Sequence, residues 1–103
     1  MEINGELVTE EVRYADLGLS EPIMKALEKK GYEQATPVQG GAIPYFMKFQ
    51  DVIAKAPTGT GKTFAFGIPM VEHIDPASDQ VLGLVLAPTR ELAIQIRDEL
   101  RDL

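Results

Sequence analysis

The residues best able to do chemistry stand together at Ala56-Pro57-Thr58-Gly59-Thr60-Gly61-Lys62-Thr63. Their spacing follows G-x-x-x-x-G-K-[ST], with Ala56 in place of the first glycine. Gly59 and Gly61 let the backbone curl so that successive N–H groups point inward and cradle phosphate oxygens. Lys62 would set a cation on the β- and γ-phosphates, and Thr63 would offer a hydroxyl ligand to Mg²⁺. The chemistry is nucleoside-triphosphate binding. Lys62 and Thr63 are the catalytic candidates because they would touch the reacting phosphates and their metal. A glycine- and threonine-rich turn between a strand and a helix has the same composition, so the flanking elements matter.

Those elements have the required order. Asp51 to Ala56 reads as a short buried strand, and a helix is predicted from about Lys62 to His73. Its N-terminus would add the positive end of a helix dipole to the phosphate loop. Asp75 to Gln80 is a polar turn. Val81 to Ala87 is a continuous apolar run, the pattern of a parallel strand covered on both faces. A last helix begins near Thr89, with Leu92, Ile96, Leu100 and Leu103 on one stripe. Upstream, residues 1–13 carry weak structure signals and read as a leader, and Tyr14 to Leu19 reads as a loop. Ser20 offers an N-cap to a helix bearing Ile23, Met24 and Leu27 on one face, with Gly31 at its C-cap position. Thr36-Pro37 opens a second helix to about Met47, weakened by Gly40 and Gly41 and bent or ended by Pro44. Alternating strand and helix predict an α/β fold: a partial P-loop (RecA-like) parallel sheet with flanking helices.

Two further blocks narrow the reading. Gly31-Tyr32-Glu33-Gln34-Ala35-Thr36-Pro37-Val38-Gln39 lies upstream of the phosphate loop, and Pro88-Thr89-Arg90-Glu91-Leu92-Ala93 lies downstream. Together with the loop they resemble the Q motif, motif I and motif Ia of DEAD-box ATP-dependent RNA helicases, in order and in spacing. Tyr14 occupies the family's aromatic position, seventeen residues before Gly31. The resemblance runs from about Tyr14 to Leu103. It implies that residues 14–103 are the N-terminal portion of a helicase ATP-binding domain.

The resemblance also implies roles. Gln39 would read adenine, because one amide donates and accepts at once and so matches N7 and N6. Tyr14 would stack on the adenine face, and Gln34 would lie along its edge. Pro88, Thr89, Arg90 and Glu91 would meet RNA phosphates at the start of a helix. Such contacts position a strand without reading its sequence. Thr89 also suits a plain N-cap, and Arg90 a salt bridge to Glu91. The lone His73 suits a helix end. The chain departs from the family pattern at Ala35, where proline is common, at Gly40-Gly41, at Pro57, and at Phe49, where a turn glycine is common.

Composition sets limits. Ten Lys and Arg against sixteen Asp and Glu give a net charge of −6. Nucleic-acid modules usually show a basic footprint, so RNA contact by this chain alone should be weak or absent. No cysteine is present, which excludes disulfides and thiolate zinc sites and fits a cytoplasmic setting. No apolar run approaches the roughly 20 residues of a membrane span. The family's D-E-A-D block and second α/β domain lie beyond these residues. The resemblance therefore implies ATP and Mg²⁺ binding with negligible hydrolysis by this chain, and ATP-driven RNA unwinding or remodelling by a full-length parent. The alternative is a non-hydrolysing nucleotide-binding or self-associating piece. Without the D-E-A-D strand, residues 51–56 and 81–87 would expose unpaired edges.

Overall fold

The computed structural model describes residues 2–57, 59, 61–74, 77, 78, 80, 82–101 and 103. The strands are β1 Glu2–Ile3, β2 Glu6–Leu7, β3 Val12–Arg13, β4 Gln34–Ala35 and β5 Ala54–Lys55. The helices are α1 Glu21–Lys29, α2 Pro37–Met47, α3 Lys62–Glu72 and α4 Arg90–Arg101, and a 3₁₀ turn covers Tyr14–Leu17. The α/β class read from the sequence is the observed one.

The centre is α2 packed on α3. One apolar cluster gathers Tyr14, Ile23, Leu27, Ala35, Ile43, Phe64 and Ile68, and a second gathers Ile3, Val38, Ala42 and Ala65. Full burial of an Ile or Leu is worth about 1.5–3 kcal/mol, so these residues carry most of the folding drive. Gly40 and Gly41 turn out to serve close approach. A Cβ on Gly40 would lie 2.7 Å from Val12 Cγ2, and one on Gly41 would lie 3.0 Å from Ile3 Cγ1. The two glycines let the N-terminal strands lie on α2. Pro44 sits inside α2 without ending it.

The described strand pairs are all antiparallel, unlike the parallel sheet expected. The order β2-β1-β5 pairs Glu2 with both Leu7 and Lys55, and β3 pairs with β4. The reason lies in residues 2–13, which carry three strands where weak structure is predicted. Asn4 takes φ +50 and acts as a strand partner for the segment before the phosphate loop. Its N–H donates to the Ile53 carbonyl at 2.8 Å, and its Oδ1 accepts from the Ile53 N–H at 2.8 Å. Of the strand predicted over 51–56, only Ala54–Lys55 is laddered.

The strand predicted over 81–87 is not formed. Val81 lies outside the described residues, and 82–87 have no regular structure. Leu84 and Leu86 are 80% and 86% exposed. A continuous apolar pattern describes a strand covered on both faces, but a strand also needs ladder partners. No described strand runs alongside this segment. It leans on α3 at Gly83, where an added Cβ would lie 2.5 Å from Met70 Sδ.

α1 and α4 begin at the predicted caps, with different chemistry. Ser20 is the N-cap residue of α1, yet its hydroxyl donates to Glu72 Oε1 at 2.6 Å rather than capping the helix. That bond ties the start of α1 to the end of α3. Thr89 does cap α4: its Oγ1 accepts from the Leu92 N–H at 3.1 Å. Of the predicted α4 stripe, Leu103 packs against the first cluster, and Leu100 fills the space over Gly67.

Candidate nucleotide site

A cavity of about 870 Å³ opens between the phosphate loop, the Gln34–Gln39 segment and α4. That volume lies in the range of small-molecule sites, about 300–1,000 Å³. Tyr14, Gln34, Gln39, Gly59 and Gly61 of the predicted site border it.

The loop adopts the geometry that its glycines permit. Gly59 takes φ +85 and Gly61 φ +83, and Gly61 is the N-cap of α3. The first bond inside α3 runs from the Ala65 N–H to the Gly61 carbonyl at 3.3 Å. The N–H groups of Lys62, Thr63 and Phe64 therefore head the helix with no carbonyl acceptor among the described residues, as at any helix start. Lys62 is exposed and forms no ion pair among the described residues. Thr63 is half-buried. Ala56 packs against the second core cluster and Pro57 is exposed. Thr58 and Thr60 lie outside the described residues.

Gln39 is the organising side chain. It is 3% exposed. Its Oε1 accepts from the Tyr14 hydroxyl and, at 3.0 Å, from the Thr36 N–H. Its Nε2 donates to the Gly61 carbonyl at 3.0 Å. One amide thus joins the upstream aromatic, the start of α2 and the phosphate loop. The Thr36–Gln39 pair is arranged as a capping box. Its made arm is Thr36 N–H to Gln39 Oε1, while Thr36 Oγ1 is buried without a hydrogen-bond partner. The β3–β4 pair, Val12 opposite Ala35 and Arg13 opposite Gln34, brings Tyr14 to this place. The Tyr14 N–H then donates to the Glu33 carbonyl at 3.1 Å. That pairing is why an aromatic far upstream belongs to the site. Burial, aided by the neighbouring Tyr32 phenol, pushes the Tyr14 hydroxyl up to about 12, so it stays a donor at neutral pH.

The opposite wall is α4, with Glu91, Ile94, Gln95, Asp98 and Glu99. Glu91 therefore faces the cavity, although the resemblance groups it with RNA contacts. Pro88, Thr89 and Arg90 are exposed. Arg90 forms no ion pair among the described residues, so the salt bridge weighed for it does not form there. Sequence reasoning missed Tyr32, Phe64 and Thr36 as lining residues. For Thr36 the signal is T-x-x-Q, the capping-box pattern, which ties Thr36 to Gln39.

A divalent ion fits only in company. No group of three or more His, Asp or Glu suited to a metal occurs among the described residues. Thr63 could offer one neutral oxygen, so a Mg²⁺ there would need nucleotide phosphates and water to supply the rest.

Comparison with known proteins identifies the family of the chain. A family model described as DEAD/DEAH box helicase matches residues 36–103. The DEAD-box ATP-dependent RNA helicase CshA of Bacillus subtilis is 52% identical over 89 residues, covering 86% of this chain. Its counterpart in Geobacillus kaustophilus is 53% identical over 87 residues. The chain spans 18% and 19% of the lengths of these relatives. Among solved structures, a DEAD box protein from Methanococcus jannaschii superposes with a TM-score of 0.79 at 37% identity, over 94% of this chain and 26% of that one. The RNA-helicase Prp28 from Chaetomium thermophilum, bound to ADP, gives 0.78 at 36% identity, over 87% and 23%. With a family model matching most of its length, this chain belongs to the DEAD/DEAH box helicase family.

Proposed function

We propose that this chain is the N-terminal, ATP-binding part of an ATP-dependent RNA helicase. The single observation carrying the proposal is Gln39, whose buried amide links Tyr14 to the carbonyl of Gly61 in the phosphate loop. The triphosphate lies against Ala56 to Thr63, with Lys62 on the β- and γ-phosphates and Thr63 on Mg²⁺. The Gln39 amide has one N–H left after the bond to Gly61, and this donates to adenine N7. Both lone-pair directions of Oε1 are occupied, so accepting from adenine N6 requires the Tyr14 hydroxyl to swing away. Guanine presents an acceptor where adenine has its amino group, and Gln39 therefore favours ATP over GTP.

Phosphoryl transfer depends on positioning and on charge stabilisation from both sides of the phosphate. These residues supply one side, so the chain alone holds ATP with negligible turnover. Joined to the remaining parts of a helicase, it would couple ATP binding to grip on single-stranded RNA. Pro88, Thr89 and Arg90 would then meet the RNA backbone, and RNA binding by the chain alone is weak because the net charge is −6. The setting we infer is cytoplasmic, consistent with the absence of cysteine.

Calorimetric titration with Mg-ATP and with Mg-GTP tests this reading. ATP should bind, GTP should not, and Gln39→Ala should erase the preference. Equal affinity for the two nucleotides in the unsubstituted chain would remove Gln39 from base reading. A second reading, self-association, draws on the exposed run Leu82, Leu84, Val85 and Leu86. Lys62→Ala separates the two, because it should abolish nucleotide binding and leave association intact.

A further inference from the structure

The phosphate loop and an acidic helix face border the same cavity. Glu91, Ile94, Gln95, Asp98 and Glu99 line it from α4. They stand three, four, seven and eight residues after Glu91, the spacing of one helix face. The apolar stripe of the same helix does the seating. Leu100 lies over Gly67 of α3, where an added Cβ would sit 2.3 Å from Leu100 Cδ2. Leu103, just past α4, packs against the first core cluster. Seating that stripe on α3 leaves the acidic face on the cavity.

The charge on that face is poorly compensated. Glu91 forms no ion pair among the described residues. Glu99 accepts from Gln95 Nε2 at 3.1 Å, a neutral donor. Asp98 pairs at 2.9 Å with Arg97, its neighbour in the chain, and both side chains are exposed, a setting in which an ion pair is worth little. Among the described lining residues, three carboxylates stand against one cation, Lys30. The loop side is the reverse. There the N–H groups at the start of α3 lack carbonyl acceptors and suit an anion. A phosphate ligand is thus drawn by one wall and repelled by the other, and the repulsion grows with its charge.

We propose that Glu91, Asp98 and Glu99 make this site select its ligand by charge. They disfavour the free triphosphate and favour the nucleotide whose phosphates are partly neutralised by Mg²⁺. The proposal rests on the cavity being a nucleotide site. It gives preference for the Mg²⁺ complex a source in α4 as well as in Thr63, where no group of three or more His, Asp or Glu suited to a metal occurs among the described residues.

The test titrates the full chain with Mg-ATP and with ATP in a chelator. The wall is neutralised by Glu91→Gln, Asp98→Asn and Glu99→Gln together. For charges about 10 Å apart in about 0.15 M salt, free ATP should tighten about tenfold and Mg-ATP about threefold. Both gains should grow as salt is lowered. Glu6→Gln, Glu10→Gln and Glu11→Gln together remove the same charge from exposed residues that do not line the cavity. That control should move either affinity by roughly twofold or less. Glu91→Gln alone should show the same ordering at smaller size, and it guards against a triple variant that misfolds. An unchanged preference for Mg-ATP in both wall variants overturns the proposal and leaves the nucleotide site standing. Equal tightening of the two forms also overturns it, since that marks a change of shape rather than charge. So does equal tightening in the control, which would assign the effect to net charge. Binding of neither form by any of these chains would refute the nucleotide reading and this proposal with it.

Discussion

The two ends of the α3 layer are built on opposite principles. On the nucleotide side, Tyr14, Thr36, Gln39 and Gly61 are drawn together by buried and half-buried hydrogen bonds. On the other side, residues 82–87 lie open, with Leu84 and Leu86 largely exposed. The first region is made by partners within these residues. The second has the composition of a buried strand and no ladder. The bonds of the first region span 25 and 22 residues and find both partners among the described residues, whereas a strand needs a ladder neighbour and none is described beside 82–87. The difference separates what this chain can stabilise by itself from what it presents to another element.

The sharpest way to break the comparison is Gly61→Ala. Gly61 sits at φ +83, and a Cβ there would lie 2.3 Å from Gln39 Nε2. The left-handed backbone costs a non-glycine residue roughly 1–2 kcal/mol, and an amide left unsatisfied costs roughly 1–3 kcal/mol more. A loss of about 3 kcal/mol is expected, which is roughly 12 °C or more in Tm for a domain of this size. Mg-ATP binding should vanish with it. Thermal unfolding followed by circular dichroism reads the first effect. A change below about 1 kcal/mol would mean that Gln39 is free to move.

The second prediction uses pH. Burial holds the folded-state pKa of Tyr14 at about 12, above the ordinary value of 10.0. The neutral phenol is favoured in the fold, so its contribution is fully present below pH 10 and is lost as pH rises toward 12. The shift corresponds to stability on the order of 2 kcal/mol. Denaturant titrations at rising pH should show the loss in the wild type and a shallower loss in Tyr14→Phe. Parallel curves would place Tyr14 in solvent. The open region carries no comparable titrating group: among its described residues, 82–87, none is ionisable.

The same divide decides what was legible in the sequence. The turn at Gly59 and Gly61, α3, the cap at Gly31 and the N-cap at Thr89 could be read because each is local chemistry: a left-handed glycine, a hydroxyl before a helix. The roles of Gly40 and Gly41 could not be read. Their meaning is the closeness of Val12 and Ile3, and a helix-propensity argument counts only their cost. The antiparallel pairing of residues 2–3 with 54–55 was equally hidden, since strands of two residues leave no alternation to detect. Asn4, which anchors that pairing, resembles any turn residue. Val81 to Ala87 failed in the opposite sense: its pattern is right for a strand, and the described structure contains no neighbour for it.

A third prediction sharpens the contrast from the open side. Leu84→Ser combined with Leu86→Ser should change monomer stability by less than about 0.5 kcal/mol, as for exposed substitutions generally. The same pair should lower any association seen by light scattering, because it removes an exposed apolar surface. A loss of several kcal/mol in stability would mean that these leucines are buried in solution.

The smallest effect concerns two helix ends, one in each region. α1 ends at Gly31 with φ +77, and α2 ends at Phe49 with φ +60. Both ends make the same pair of bonds: Gly31 N–H to Glu28 and Tyr32 N–H to Leu27 in one, Phe49 N–H to Phe46 and Gln50 N–H to Tyr45 in the other. At Gly31 an added Cβ would meet nothing within 4 Å, so only the backbone sets its preference. Phe49 accepts the left-handed strain and stacks on His73, with centroids 4.2 Å apart. The strain costs roughly 1–2 kcal/mol. The stack returns about 0.5–1.5 kcal/mol, at the low end because the ring is 80% exposed. Phe49→Gly would relieve the strain, lose the stack and add unfolded-state entropy worth about 0.4–1 kcal/mol. The net change should lie within about 0.5 kcal/mol of zero. Phe49→Ala loses the stack and keeps the strain, so it should fall about 1 kcal/mol below Phe49→Gly. If alanine proves as stable as glycine here, Phe49 carries no strain. The two helix ends would then differ only in what they pack against.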